Sequence, residues 1–204
     1  MTAGPRLAVL DYGIGNLRSA QKAFEAVGAD ARLTADHSVI EAADAVVLPG
    51  VGAFGRCVDA LRDADLARIA VDAAAAGTPF LGICVGMQML YRGSDEDPGV
   101  DGLGILDGHV ALLPAGVKRP QMQWNVLAAT LDSPMLAGLD GDWVYFVHSY
   151  AVVDSPDVAA TCDYGGPVTA AVVSDNVWAT QFHPEKSGRA GLRLLMNFAG
   201  SVQS

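Results

Sequence analysis

Cysteine is scarce: Cys57, Cys84 and Cys162 are the whole complement of a 204-residue chain. An odd, widely spaced set supplies neither a disulfide framework nor zinc-ligand spacing. No metal or other cofactor is therefore expected. Positive charge is also thin, with 13 Lys and Arg against 23 Asp and Glu, a formal net charge of −10. Such a surface repels phosphate backbones and argues against nucleic acid as a partner. No long basic or amphipathic Lys-rich stretch marks a membrane surface. No apolar run reaches the roughly 20 residues of a membrane span. The start, Met1 to Arg6, lacks a basic n-region, and Leu7-Ala8-Val9-Leu10 stops at Asp11, too short for a signal peptide. A cytoplasmic protein is expected. Aromatics are few, at 7%, although 51% of residues are hydrophobic, the mix of an Ala/Val/Leu-rich globule. A chain this long buries roughly 70% of its unfolded surface, so its core suffices without staples. No repeat, low-complexity tract or linker divides it, and residues 1–204 are read as a single domain.

The first half alternates strands and helices. Residues 6–10 form a short apolar run ending at Asp11 and Gly13. Leu17, Ala20, Phe24 and Val27 recur at helical spacing until Gly28. Residues 45–48 make a second buried run, closed by Pro49-Gly50. Phe54, Val58 and Leu61 mark another helix; Leu66, Ile69, Ala70 and Ala73 mark the next. Residues 78–83 form a third run, and residues 87–91 open a helix. Residues 93–139 read as loops and short antiparallel strands such as 109–113. Strands follow at 143–147, 170–173 and 178–182. A last helix is expected over 187–199, with Leu192, Leu195, Met196 and Ala199 on one face. The order predicts an α/β fold: a mostly parallel sheet covered by helices on both faces, with a small antiparallel extension.

The strongest local signal is Gly82-Ile83-Cys84-Val85-Gly86, a nucleophile between two glycines, after a strand and before a helix. That is the nucleophile-elbow context with Cys in place of Ser. A tight strand-to-helix turn strains the nucleophile and excludes side chains two residues away. The helix N-terminus beneath the sulfur favours thiolate. The bland alternative is a buried Cys beside two incidental glycines, which is the assignment for Cys57 and Cys162, whose replacement should leave activity intact.

A Cys nucleophile needs a base. The histidines are His37, His109, His148 and His183. His37 lies in a polar turn and reads as solvated; His109 reads as structural. His183 ends an apolar strand and precedes Pro184-Glu185. Proline biases it to extended backbone, where residues i and i+2 share a face. Glu185 can then fix the tautomer of His183 and support its positive form. Taken alone, His-x-Glu reads as a surface ion pair; with the elbow it becomes a triad candidate. The third element, Pro49-Gly50-Val51-Gly52-Ala53-Phe54, follows a buried strand, where open α/β sheets place their sites. Taken alone, it is a turn.

These elements in this order resemble the class I glutamine amidotransferases. Within them, five segments are similar to the glutaminase subunits of imidazole glycerol phosphate synthase: Asp11-Tyr12-Gly13-Ile14-Gly15-Asn16-Leu17, Leu48 to Phe54, Gly82 to Gln88, Tyr145-Phe146-Val147-His148-Ser149-Tyr150 and Gln181-Phe182-His183-Pro184-Glu185-Lys186-Ser187. The resemblance covers nearly the whole chain. It implies that Cys84 attacks the side-chain amide of L-glutamine, with His183 as acid and base oriented by Glu185. It implies oxyanion donors at Gly52 and Val85. It gives Gln88, Glu96, Ser149 and Tyr150 to the amino-acid end of the substrate. It implies a heterodimer with a (β/α)8-barrel cyclase subunit, placing Asn16, Trp124, Asn125 and Lys186 near the interface. Ammonia would pass to that partner, which adds it to a ribulosyl phosphate and makes imidazole glycerol phosphate and an aminoimidazole carboxamide ribotide in histidine biosynthesis. One departure stands out: Gln121 and Gln123 occupy positions where such subunits usually carry His and Gly.

Other readings share some of these marks. A glutaminase subunit of another synthase, such as pyridoxal phosphate synthase, would keep the triad and change the partner. A catalytically silent scaffold would lack a triad member, and none is missing. A cysteine hydrolase of unrelated substrate would fail a glutaminase assay with the partner. Finally, Pro49-Gly50-Val51-Gly52 predicts a peptide able to flip, because glycine meets no Cβ penalty at positive φ.

Overall fold

The structure is a computed structural model and describes residues 4–202; Met1–Ala3, half of the start considered for a signal peptide, lie outside the described residues. Its core is an eight-stranded sheet in the order β2-β1-β3-β4-β12-β11-β10-β7. The parallel part consists of β1 (Arg6–Leu10), β2 (Asp30–Thr34), β3 (Ala45–Gly50), β4 (Phe80–Cys84) and β12 (Val177–Thr180). Every residue of β3, β4 and β12 is buried, so these strands are covered on both faces, as their unbroken apolar runs require. The antiparallel extension joins at β12: β11 (Pro167–Ser174), β10 (Val158–Asp163) and β7 (Ala128–Ala129).

Two separate ribbons stand beside the sheet. One pairs β5 (His109–Leu112) with β9 (Tyr150–Val153), the other β6 (Gln121–Val126) with β8 (Trp143–His148). The helices are α1 (Leu17–Ala26), α2 (His37–Glu41), α3 (Phe54–Asp63), α4 (Ala67–Ala75), α5 (Val85–Met89) and α6 (Gly188–Ser201). Helix α1 packs on α6, and α3 on α4 and α5.

Strands β9 and β10 were not expected from the sequence, and three further details differ from its pattern. Strand β2 and helix α2 fall in a stretch with little apolar periodicity; Asp36 caps α2 by accepting from the Ser38 N–H at 2.9 Å. His37 is part of α2, and its ring pairs with the Asp65 carbonyl at 3.0 Å. The buried face of α6 is Ala190, Gly191, Leu194, Leu195, Phe198 and Ala199, whereas Met196 is 50% exposed. Phe198 sets that orientation, because its ring meets Phe24 of α1 at 6.0 Å and Trp178 of β12 at 5.6 Å. Aromatic packing of this kind outweighs a thioether at the rim. No helix among the described residues is long and apolar enough to cross a membrane.

Candidate active site

Parallel register brings the chemistry together. Gly50 lies opposite Cys84 at the ends of β3 and β4, and on the other side Thr180 of β12 lies opposite Ile83. Three strand ends therefore deliver Pro49-Gly50, Cys84 and the residues before His183 to one carboxyl edge of the sheet. Cys84 adopts φ +57 and ψ −113, the strained turn of a nucleophile elbow. The flanking glycines are sterically required. A Cβ on Gly86 would fall 1.8 Å from the Leu48 carbonyl oxygen, and one on Gly82 would fall 3.0 Å from the Met87 Cα. Helix α5, however, has only five residues. It offers local N–H groups and little macrodipole, so support for a thiolate has to come largely from side chains.

His183 is fixed through its backbone. Its N–H donates to the Tyr145 carbonyl of β8 at 3.0 Å, and its own carbonyl accepts from the Ser187 hydroxyl at 2.6 Å. Nδ1 meets Glu185 Oε1 at 2.8 Å, with side-chain exposures of 1% and 3%. The pair is buried, not a surface ion pair. The extended segment expected to align the two residues is confined to His183 itself; Pro184–Lys186 form a turn of 3-10 helix that folds the carboxylate back under the ring. Asn16 Nδ2 donates to the same oxygen at 3.4 Å. Burial alone would lower the His183 pKa, but the Cys84 sulfur and the Glu185 carboxylate outweigh it and raise it from 6.5 to about 9. Nε2 has no formed hydrogen bond. It interacts electrostatically with the Cys84 sulfur.

Cys84, Val85, His183 and Gly52 line one cavity of about 510 Å³, together with Gln88, Glu96, Ser149 and Tyr150. That volume suits a small ligand. Glu96 also accepts the Phe54 N–H at 2.9 Å, and Asp97 accepts that of Gly55 at 2.8 Å. The two carboxylates thus satisfy orphan N–H groups of α3, which has no side-chain cap of its own. Gln88 donates from Nε2 to the Tyr150 carbonyl at 2.9 Å and to Gln181 Oε1 at 3.0 Å. Both its N–H bonds are committed, so only its Oε1 can face a ligand.

The residues assigned to a partner interface divide. Asn16 and Lys186 line the cavity mouth. Trp124 is 47% exposed on the β6–β8 ribbon, where Met122, Val126 and Trp143 are exposed as well. Asn125 is tied into the chain, donating to the Asp163 carbonyl at 2.9 Å while its Oδ1 accepts the Val126 N–H at 2.8 Å. Gln121 is fully buried with Nε2 on Cys162 Sγ at 3.7 Å, whereas Gln123 is exposed.

Four residues at this site escaped sequence analysis. The Tyr12 hydroxyl donates to the Pro49 carbonyl, and the Cys57 thiol donates to the Val51 carbonyl at 3.1 Å. Burial raises both pKa values, which keeps both groups protonated as donors. Cys57 is therefore more than a small buried hydrophobe. His148 pairs Nδ1 with the Tyr150 carbonyl at 2.8 Å, and burial pushes its pKa down to about 4, leaving a neutral ring in the cavity wall. Gln181, wholly buried, reaches Cys84 Sγ at 3.8 Å. Tyr12, His148 and Gln181 were signalled only as members of motifs singled out for other residues, and Cys57 only as one of the free cysteines.

The profile of the glutamine amidotransferase class-I family matches residues 8–201. The imidazole glycerol phosphate synthase subunit HisH of Methanothermobacter thermautotrophicus is 50% identical over 202 residues, spanning 97% of this chain and 100% of that protein. The same subunit of Synechococcus elongatus is 49% identical over 209 residues, spanning 99% and 96%. Among solved structures, PurLQS from Thermotoga maritima superposes with a TM-score of 0.78 at 21% identity, covering 97% of this chain and 99% of that one. A crystal structure of a glutamine amidotransferase superposes at 0.76 and 21%, covering 95% and 98%; both show the fold. The chain belongs to the class-I glutamine amidotransferase family and, within it, to the HisH subunits of imidazole glycerol phosphate synthase.

Proposed function

We propose that Cys84, His183 and Glu185 of this HisH-family chain hydrolyse L-glutamine to glutamate and ammonia, and that the ammonia passes directly to a cyclase subunit of imidazole glycerol phosphate synthase in histidine biosynthesis. The observation that carries this reading is the elbow cysteine at φ +57 sharing one cavity with a buried histidine–carboxylate pair. Cys84 Sγ attacks the amide carbon, and the oxyanion is met by N–H groups of Gly52 and Val85. The C–N bond breaks as His183 Nε2 gives its proton to the leaving nitrogen. Water then adds to the thioester with His183 taking its proton, and glutamate leaves as the sulfur is restored. Glu96 and the Gln88 Oε1 suit the substrate's ammonium group, and the Ser149-Tyr150 segment its carboxylate end.

The exposed apolar stripe of Met122, Trp124, Val126 and Trp143 is the surface that best fits a permanent partner. In bulk water near neutral pH ammonia protonates and stops being a nucleophile, so a covered route is chemically required. Lys186 and Asn16 at the cavity mouth would border it. The chain acts as one domain in the cytoplasm. The pyridoxal phosphate and scaffold alternatives gain no support from the site. The deciding experiment is glutamate release and cyclised product from glutamine with the purified cyclase partner; no glutamine-dependent product would refute the reading.

Protonation gives a further test. A raised His183 pKa means that the proton it must deliver is lost only as pH rises through about 9. Turnover of glutamine should fall across that range. Glu185 is one cause of the rise, so Glu185→Gln should move the fall to lower pH and reduce kcat more than it raises KM. The same shift adds stability below pH 6.5 that fades as pH approaches 9. A Glu185→Gln profile that overlies the parent's would return the carboxylate to a purely structural role.

A further inference from the structure

We propose that Gln181 is a catalytic residue of the glutaminase: its carboxamide N–H stabilises the Cys84 thiolate, in an orientation dictated by Gln88 and the Tyr150 carbonyl. The inference rests on Cys84 being the nucleophile.

The sense of the hydrogen-bond chain is forced from its far end. A backbone carbonyl can only accept, so the Gln88 atom 2.9 Å from the Tyr150 oxygen must be the nitrogen. That nitrogen's second N–H points at Gln181, 3.0 Å away, and needs an acceptor there. Gln181 must therefore turn Oε1 to Gln88 and Nε2 to the sulfur, 3.8 Å distant. A flipped carboxamide would set two N–H groups against each other at one end and bring an oxygen lone pair to the sulfur at the other.

The fold explains the placement. Thr180 is paired with Ile83 across β12 and β4, so the next residues, Gln181 and Cys84, come abreast. The Gln181 N–H is anchored on the Ala170 carbonyl at 2.8 Å. Gln88 follows Cys84 by one helical turn and shares its face. Gln181 has no exposed surface, and a buried carboxamide is costly unless hydrogen-bonded. An apolar side chain of the same length would fill the space without that cost. Because α5 is too short for a strong dipole, a charged sulfur gains from such a directed donor beside the His183 ring, since hydrogen bonds to charged groups outweigh neutral ones. The donor favours S⁻ over the weakly accepting S–H. The same chain links the nucleophile to the Tyr150 carbonyl beside the substrate segment.

The test uses the full chain and iodoacetamide, a neutral probe of thiolate, with the alkylated residue located by peptide mass analysis. Gln181→Met should displace the rate–pH profile of Cys84 alkylation upward, cutting the rate on its rising limb roughly tenfold. The rate at the high-pH plateau should be unchanged, which a merely structural defect would not spare. In the complex with the cyclase subunit, kcat for glutamine should drop while KM stays within a few fold. Should Gln181→Met fail to fold, Gln88→Met serves instead. It frees the Gln181 carboxamide to turn and should move the profile the same way by less. A folded variant with a profile superposed on the parent's overturns the proposal. Labelling at Cys57 or Cys162 instead of Cys84, or a Cys84→Ala chain still active with glutamine, would overturn the nucleophile assignment beneath it.

Discussion

Cys84→Ala is expected to remove glutamine-dependent product formation by about 10⁴-fold or more, while synthesis from added ammonium salts by the same complex stays near the parent rate. Losses of that size follow when the nucleophile of a concerted triad is removed, since the partners cannot act without it. Sparing of the ammonia reaction follows from the geometry. Cys84 is 3% exposed at the base of the cavity, and the exposed apolar ribbon lies on β6 and β8, which are not in the strand set that carries the elbow. The substitution removes one sulfur and leaves the exposed apolar ribbon unchanged. Two measurements are needed, product from glutamine and product from ammonium, on one preparation. Near-normal product from glutamine would remove Cys84 from the reaction. Parallel loss of both would mean that the variant fails to assemble. Cys162→Ala is the control: its sulfur meets Gln121 at 3.7 Å and touches nothing in the cavity.

The elbow was legible because its constraint is steric and local. Gly82 and Gly86 must lack side chains, and only a turn of this kind demands glycine on both sides of a cysteine. Its neighbours across the sheet were legible as motifs but not as contacts. Pro49-Gly50 could be placed at a strand end, yet nothing in the sequence says that Gly50 sits opposite Cys84; that is parallel register, set by packing of the whole sheet. The His183–Glu185 pairing was anticipated for an incomplete reason, since a 3-10 turn does what an extended strand was expected to do. Gln181, Cys57 and Tyr12 were illegible because their roles depend on where one polar atom points. Composition and periodicity report burial, and burial of a Gln or Cys does not disclose its hydrogen-bond partner. The antiparallel strands β9 and β10 were missed for another reason: β9 is a four-residue apolar run directly after another strand with no turn signal between them, and β10 mixes apolar with polar residues and is only half buried. Met196 shows the converse error, an apolar residue at helical spacing that faces solvent because Phe198 fixes the roll of α6.

The second large effect concerns activation. Glutamate release by this chain alone is expected to be slow, and the cyclase subunit carrying its ribulosyl phosphate is expected to raise it by about 10²–10³, the worth of one oxyanion donor. The turn at residues 49–52, the proposed source of that donor, is held at both ends. Tyr12 holds the Pro49 carbonyl and Cys57 holds the Val51 carbonyl, so the peptides on either side of Gly50–Val51 are pinned. Rotation is then confined to the Gly50–Val51 peptide, where Gly50 imposes little backbone preference of its own. Turning it exchanges the Gly50 carbonyl for the Val51 N–H, which then faces the developing charge beside the proposed Gly52 and Val85 donors. Two discrete states with fixed ends can be repopulated by a ligand that favours one of them. Cys57→Ala removes one anchor and should narrow the ratio of activated to basal rate, whereas Cys57→Ser keeps a donor and should largely preserve it. This replaces the expectation that Cys57 is dispensable. Three rates decide the matter: chain alone, chain with partner, and chain with partner and ribulosyl phosphate or an unreactive analogue. Equal glutamate release in all three would show that the turn is fixed. A Cys57→Ala ratio equal to the parent's would show that the thiol only fills space beneath it.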